Sequence, residues 1–243
     1  MPAVSGNINL VTGFSASAVT ATSTNTLTLT FGSTAIKDSI IFVGATGNGG
    51  TGAWTGPSGY TELPSSALYA TSTRQTRVWA KIATGSETTA TVTGTGTTTG
   101  IAMACMAFTG VQVSAFGLST TLSRNYGGST GAGVTGISFT NAGVKYWSSV
   151  ADAPILAVLF FGANATLASA TIGSGTGWSN NTTTSATGIS NTGSTAIVAG
   201  YSSYDTPSGT DGVVIFGASR STGGLAVALY PNNGQLSALG VGA

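Results

Sequence analysis

Residues 26–31 read Thr-Leu-Thr-Leu-Thr-Phe, a strict alternation of polar and apolar side chains. Successive side chains of a β-strand point to opposite faces of the sheet. Leu27, Leu29 and Phe31 are therefore expected on a buried face, with the three threonines on the other. Residues 89–93 repeat the pattern as Thr-Ala-Thr-Val-Thr. Both segments predict strands that bury one face and expose the other.

Other segments are apolar on both faces, and we predict that they are central strands covered on two sides. They are separated by glycine-rich turns, and no stretch of helical length has apolar residues at the spacing of an amphipathic helix. Many strands with such turns predict an all-β chain of sandwich or barrel type. The doubly apolar segments are Ser39 to Val43, Ile101 to Phe108, Ile155 to Phe161, Val213 to Phe216 and Leu225 to Tyr230.

The chain contains an internal repeat, whose matched landmarks lie about 114 to 124 residues apart. Asp38 and Asp152 each precede an apolar strand, and a Gly-aromatic pair follows at Gly59-Tyr60 and again at Gly177-Trp178. A spacing near 115 residues is that of one β-sandwich. We predict tandem jelly-roll-like antiparallel β-sandwiches, 1–115 with an N-terminal arm and 116–243, joined between Val113 and Gly133. The alternative is one larger β-sandwich built from both halves.

The composition excludes most catalytic chemistry. Charged residues make up 5% of the chain, against about 25% in ordinary globular domains. There is no histidine and only one cysteine, Cys105. Histidine-based triads, histidine metal ligands, disulfides and multi-cysteine metal sites are therefore impossible within the chain. Cys105 lies in an apolar run, as a buried small hydrophobe does.

The formal net charge is +1, and the charged residues are scattered singly. Nucleic-acid binding needs a basic stripe that neutralises phosphates, and none is visible. The longest apolar run, residues 153–163, is about half the length of a membrane-spanning helix. Residues 1–7 have no basic or apolar region of a signal peptide. We expect no nucleic-acid partner, no membrane insertion and synthesis in a cytosol.

Several short motifs match enzyme signatures without their structural context. Gly47-x-Gly49-x-x-Gly52 and its counterpart at residues 131–136 fit the dinucleotide fingerprint, but neither opens a helix. Residues 127–131 fit the nucleophile elbow, which needs a histidine base. Asp38 and Asp152 recur at one position of the repeat, which favours a structural role, and Asp205 and Asp211 flank a turn. We predict no enzyme activity and no catalytic, cofactor-binding or metal-binding residue.

The strongest binding candidate is a strand face that carries Arg77, Trp79 and Lys81, with Trp54 in a nearby glycine-rich loop. Alternation places the indole of Trp79 between two cations, away from Val78. An exposed tryptophan there can anchor a subunit contact or stack on a sugar. The alternative is that Trp79 lies under a loop and is flanked by the aliphatic stems of Arg77 and Lys81.

One part of the first repeat resembles minor structural proteins of tailed bacteriophages. The resemblance rests on Gly59-Tyr60, then Trp79-Ala80-Lys81-Ile82-Ala83-Thr84-Gly85-Ser86-Glu87, then the small-residue strand from Gly100 to Gly110-Val111. It is sharp over residues 59–111 and extends in outline over 36–230. The second repeat departs from it, with Tyr204-Asp205-Thr206-Pro207-Ser208-Gly209 in place of the lysine and the Gly-Ser-Glu turn. The resemblance implies a virion β-sandwich without catalytic residues, in head or tail.

These observations together predict a bacteriophage virion protein. The expected role is a capsid decoration or cement subunit, whose partners are major capsid or tail proteins and copies of itself. The expected location is the virion, assembled in the host cytoplasm. The alternative is a tail-fibre or adhesin module that binds a host surface glycan.

Overall fold

The computed structural model describes residues 8–19, 25–48, 53–63, 74–94, 101–111, 134–138, 155–163, 170–173, 178–185, 196–204, 213–220 and 222–229. These residues form strands and turns, with no helix among them. The strands in chain order are β1 (Asn9–Leu10), β2 (Ala16–Val19), β3 (Thr26–Thr30), β4 (Ile40–Asn48), β5 (Trp54–Thr55), β6 (Thr61–Glu62), β7 (Arg74–Ile82), β8 (Thr89–Gly94), β9 (Ile101–Thr109), β10 (Val134–Ser138), β11 (Ile155–Ala163), β12 (Ala170–Gly173), β13 (Trp178–Ser185), β14 (Ala196–Tyr204), β15 (Val213–Arg220) and β16 (Thr222–Leu229).

The strands form four sheets in which every pairing is antiparallel. The first sheet has the order β1-β9-β4-β7-β6, and β2 also pairs with β9. The second is β3-β8-β5, the third β13-β14-β11-β16 and the fourth β10-β15-β12. The expectation of an all-β, antiparallel chain is thus confirmed for the described residues.

The alternating segments bury the predicted faces. Leu27 and Leu29 of β3 are buried while the threonines between them are exposed. Their partner β8 buries Ala90 and Val92 in the same way. These side chains pack against one face of the first sheet in a core lined by the second sheet and by β4, β7 and β9. The first two sheets therefore form a β-sandwich.

The opposite face of the first sheet is also covered. Ile40 and Phe42 of β4 pack in a second core that contains Phe160 of β11, Ile197 of β14 and Leu229 of β16. The runs that the sequence shows as apolar on both faces, β4 and β9, are accordingly buried on both sides. The layer that covers this second face comes from the second half of the chain.

The strand orders of the two halves coincide. The order β9-β4-β7-β6 in the first half corresponds to β16-β11-β14-β13 in the second, and β3-β8-β5 corresponds to β10-β15-β12. In the first half β4 lies between β7 and β9, and in the second half its counterpart β11 lies between β14 and β16. The first half adds β1 and β2 along the outer edge of β9.

The registers agree as well. Ile40 of β4 pairs with Ile82 and Phe108, and Leu156 of β11 pairs with Ser203 and Leu229. The two partners lie 26 residues apart in both halves, from 82 to 108 and from 203 to 229. A slip of one residue would move every side chain of a strand to the other face. Equal spacing therefore keeps the same relation of faces in both sheets.

The predicted junction between Val113 and Gly133 lies outside the described residues. The predicted N-terminal arm lies partly within them, as β1 and β2, and it is hydrogen-bonded to β9. Val11, between these two strands, is buried, and its N–H donates to the Ala107 carbonyl at 2.8 Å. No helix in the described part of the chain is long and apolar enough to cross a membrane.

Candidate contact face around strand β7

Trp79 is buried, contrary to the exposed position that we considered for it. Its side chain is 2% exposed and belongs to the core between the first two sheets. Strand β7 lies inside the first sheet, between β4 and β6, and the face that carries Trp79 is turned towards the second sheet. Alternation correctly groups Arg77, Trp79 and Lys81 on one face, but that face is an interior one.

The segment that follows β5 covers the indole. A Cβ built on Gly56 would overlap Nε1 and Cδ1 of Trp79, so the backbone at Gly56 rests directly on the ring. Only a residue without a side chain permits this approach. Trp54 is also buried and packs in the same core. Neither indole offers an open face to a sugar, and the alternative prediction of a loop-covered Trp79 is the one that holds.

The two flanking cations form ion pairs within the chain. Arg77 Nη1 donates to Glu62 Oε1 at 2.8 Å, and Lys81 Nζ lies 2.8 Å from Glu87 Oε1. The side chains of Arg77 and Lys81 keep 20% and 23% of their surface exposed. Their charges are thus partly neutralised before any partner approaches. Sequence reasoning placed both cations on the candidate face but paired neither of them with a carboxylate.

Glu87 organises the turn between β7 and β8. Its carboxylate accepts hydrogen bonds from the backbone N–H groups of Thr84, Gly85 and Ser86 and from the Thr84 hydroxyl, at 2.8 to 3.2 Å. Burial alone raises the pKa of the Glu87 carboxyl, but the hydrogen bonds from Lys81 and Thr84 outweigh it and hold the pKa far below its ordinary value. Glu87 is therefore a buried, charged anchor for this turn.

This turn explains the motif that carries the resemblance. Gly85 has a φ of +94°, a left-handed conformation that glycine adopts without a steric penalty. Lys81, at the end of β7, supplies the cation that Glu87 needs. The pattern of a lysine followed by Gly-Ser-Glu thus encodes one self-contained structural unit. It was the available sequence signal for Glu87, although it does not by itself reveal which atoms meet.

Tyr60 lies beside this unit. The ammonium of Lys81 is 5.6 Å from the centre of the Tyr60 ring, a cation–π distance. Burial and the nearby charge of Glu87 raise the pKa of the Tyr60 hydroxyl well above its ordinary value. The hydroxyl oxygen of Tyr60 and Nε1 of Trp54 are both buried without a hydrogen-bond partner. These two buried polar atoms are thus unsatisfied.

Of the other residues that sequence reasoning singled out, those that the structure describes lie in surroundings that indicate structural roles. Cys105 is fully buried, and burial raises the pKa of its thiol to about 12. Asp38 has a φ of 64°, and its N–H donates to the Ala83 carbonyl in the turn before β4. Asp152, Asp205 and Asp211 lie outside the described residues. Within those residues, no group of three His, Cys, Asp or Glu side chains could hold a metal ion.

The outer side of the second sheet is a regular array of threonines. Thr26 faces Thr93 across β3 and β8, Thr28 faces Thr91, and Thr30 faces Thr89. The hydroxyls of the first two pairs are hydrogen-bonded at 3.1 and 2.9 Å. Five of the six side chains are exposed, Thr93 is half-buried, and β3 and β8 contain no charged residue. We call these six residues the threonine face.

Comparison of the chain with models of protein families, with curated protein sequences and with solved structures finds no match.

Proposed function

We propose that this chain is a structural protein of a tailed-bacteriophage virion, built as two tandem jelly-roll-like β-sandwiches. Its role in this proposal is that of a capsid decoration or cement subunit, which acts by contact with neighbouring subunits. The duplicated strand order and the equal registers support the tandem arrangement. The resemblance over residues 59–111 supports the virion role, because its Gly-Ser-Glu turn is a building element of the sandwich rather than a catalytic motif.

The observation that carries a contact function is the threonine face. β-Branched side chains have few rotamers, and cross-strand hydrogen bonds hold two of the three pairs. Docking against such a surface costs little side-chain entropy and requires no desolvation of charge. Threonine also presents a methyl and a hydroxyl together, so the array can pack and hydrogen-bond. This face suits contact with another protein surface.

The threonine face is too small to form a stable protein–protein interface by itself. Three rows of side chains on two strands cover about 200 Å², given strand spacings of about 4.8 Å and a side-chain repeat of about 6.8 Å. A stable interface buries about 800 Å² on each partner. The threonine face is therefore the centre of a larger contact that includes neighbouring loops. A glycan-binding role, the other candidate, would need an aromatic face other than Trp54 and Trp79.

The test has two stages. Tailed particles purified from the source of the chain should contain it in a fixed copy number per particle, by mass spectrometry and by labelled electron microscopy. Thr26→Lys combined with Thr89→Lys should then leave folding unchanged and reduce incorporation, since it places two charges in the uncharged face at exposed positions that are not opposite each other. The matched control is Thr34→Lys, at an exposed threonine outside that face. Particles that lack the chain, or normal incorporation of the double variant, would refute the respective stage.

A further inference from the structure

The larger sheet of each half, β9-β4-β7-β6 in the first and β16-β11-β14-β13 in the second, turns one face towards the other half. We call these two faces the inner faces, and together they form one shared core. From the first half it contains Phe42 of β4 and the alanines of β7 and β9, and from the second half Phe160, Ile197, Ala199 and Leu229. The members from the second half are all fully buried. The two sheets thus face each other with the same kind of apolar surface.

The contacts between strands across this core occur in pairs that are related by exchanging the two halves of the chain. β4 contacts β11, β9 contacts β14, and β7 contacts β16. In the correspondence between the halves, β4 matches β11, β7 matches β14 and β9 matches β16. Exchanging the halves therefore turns the β9–β14 contact into the β16–β7 contact, which is also present. The contacts of β4 with β14 and of β11 with β7 are related in the same manner.

We infer that the two halves pack back to back about an approximate two-fold axis between β4 and β11, so that the chain is a covalently joined dimer of like units. A contact in which surface i meets j while j meets i is the isologous arrangement of two-fold dimers. The inner face of β4, β7 and β9 is thus a dimerisation surface, and its occupant is the second half of the same chain. This inference concerns packing within the chain and holds whether or not the virion role does.

One close contact lies beside the proposed axis. A Cβ built on Gly44 of β4 would overlap Cδ1 and Cγ of the Phe160 ring, so the ring of β11 rests on the bare backbone of β4. Packed sheets ordinarily keep a side-chain layer of about 10 Å between them. Glycine at 44 permits the closer approach, and Phe160 fills the space that a side chain would otherwise take. The pair links the two halves sterically.

The back-to-back packing of the two halves determines which sheet surfaces other proteins can contact. Because the inner sheets cover each other, the contact surfaces available to other proteins are the outer ones, with the threonine face at the first half. A bridging subunit with two like units can then present one outer sheet at each side of its shared core. The pairing thus covers the apolar inner face of each sandwich and leaves the outer sheets facing away from the shared core, with the threonine face on the outer sheet of the first half.

Paired cysteines in the full-length chain test the two-fold relation. In a Cys105→Ala background, the pair Ala104→Cys with Ala199→Cys joins β9 to β14, and the pair Ala80→Cys with Leu229→Cys joins β7 to β16. Refolding of the reduced, unfolded chain in a glutathione redox buffer should close an intrachain disulfide in both pairs in most molecules, because the thiols meet as the sheets pack and no reagent has to enter the buried core. The control pair, Ala104→Cys with Leu229→Cys, joins β9 to β16 and should remain mainly unlinked. Preferential linking of the control pair would overturn the two-fold arrangement.

A double-mutant cycle tests the contact at Gly44. Gly44→Ala and Phe160→Leu should each lower the midpoint of urea unfolding, and the double variant should lose less than the sum, because the smaller side chain makes room for the methyl group. Gly44→Ala combined with Phe14→Leu, in the other core, should be additive. Additive losses in both cycles would show that the halves do not meet there. If Gly44→Ala does not fold, the cross-linked pairs decide.

Discussion

Glu87→Gln should destabilise the protein strongly although it changes only one oxygen to an amide nitrogen. The wild-type carboxylate is 7% exposed, lies 2.8 Å from Lys81 Nζ and accepts hydrogen bonds from three successive backbone N–H groups. Glutamine keeps one acceptor, but its NH₂ group faces donors and its side chain leaves the Lys81 charge without a counterion. The loss therefore combines a missing ion pair with unsatisfied backbone donors.

The expected size follows from these contacts. Removing one member of a buried ion pair costs about 3–5 kcal/mol. The side chain of Lys81 retains 23% of its exposure, so solvent screens part of its charge. We expect a loss of about 3 kcal/mol in the free energy of unfolding at pH 7, which corresponds to about 1 M in the urea midpoint if the unfolding slope is about 3 kcal/mol per M.

The pH dependence supplies an independent check. The pKa of Glu87 is lower in the folded chain than in the unfolded chain, so its contribution is complete above the ordinary carboxyl pKa and is lost as the pH falls below it. The difference in unfolding free energy between wild type and Glu87→Gln should therefore start to narrow as the pH falls below 4.5 and should still be narrowing at about pH 3, because the folded-state pKa lies far below the ordinary one. Glu62→Gln, at a carboxylate that is 34% exposed, should cost about 0–1 kcal/mol. Equal effects of the two variants, or a difference between wild type and Glu87→Gln that is as large at about pH 3 as at pH 7, would refute this account of the turn.

Two further predictions concern buried side chains. Trp79→Ala should reduce the free energy of unfolding by about 3–5 kcal/mol in urea titrations, because it empties a core site under Gly56, whereas Arg77→Ala should cost about 1 kcal/mol or less. If Trp79→Ala leaves stability unchanged, the loop does not cover the indole. Cys105, whose pKa burial raises to about 12, should resist alkylation at pH 8 until the chain unfolds. Rapid labelling of the native protein, measured against the urea-unfolded chain, would contradict its burial.

Local sequence patterns predicted the strands because their causes are local. The alternation at residues 26–31 and 89–93 determines which side chains share a face, and β3 and β8 bury the apolar side as predicted. The doubly apolar runs indicated central strands, and β4 and β9 are buried on both faces. The Gly-Ser-Glu turn was visible as a motif, although the ion pair of Lys81 with Glu87 was not.

The candidate contact face was predicted less well. The sequence showed that Arg77, Trp79 and Lys81 share a face, but it left open whether Trp79 is exposed to solvent or covered by a loop. The structure covers that face with the second sheet and the backbone at Gly56, and it pairs the charges with Glu62 and Glu87. A strand face that carries both apolar and charged side chains can line a core when the charged groups extend to ion-pair partners at the edge of that core. Alternation cannot distinguish that rim from open solvent.

The sequence by itself determined the all-β character, the faces of the individual strands and the duplication, since side-chain direction along a strand and the spacing of turns depend on neighbouring residues. Only the tertiary structure decided what covers each face. The inner side of β4 is closed by Phe160, more than a hundred residues further along the chain, because burial of apolar surface acts between any two faces that meet, whatever their separation in sequence.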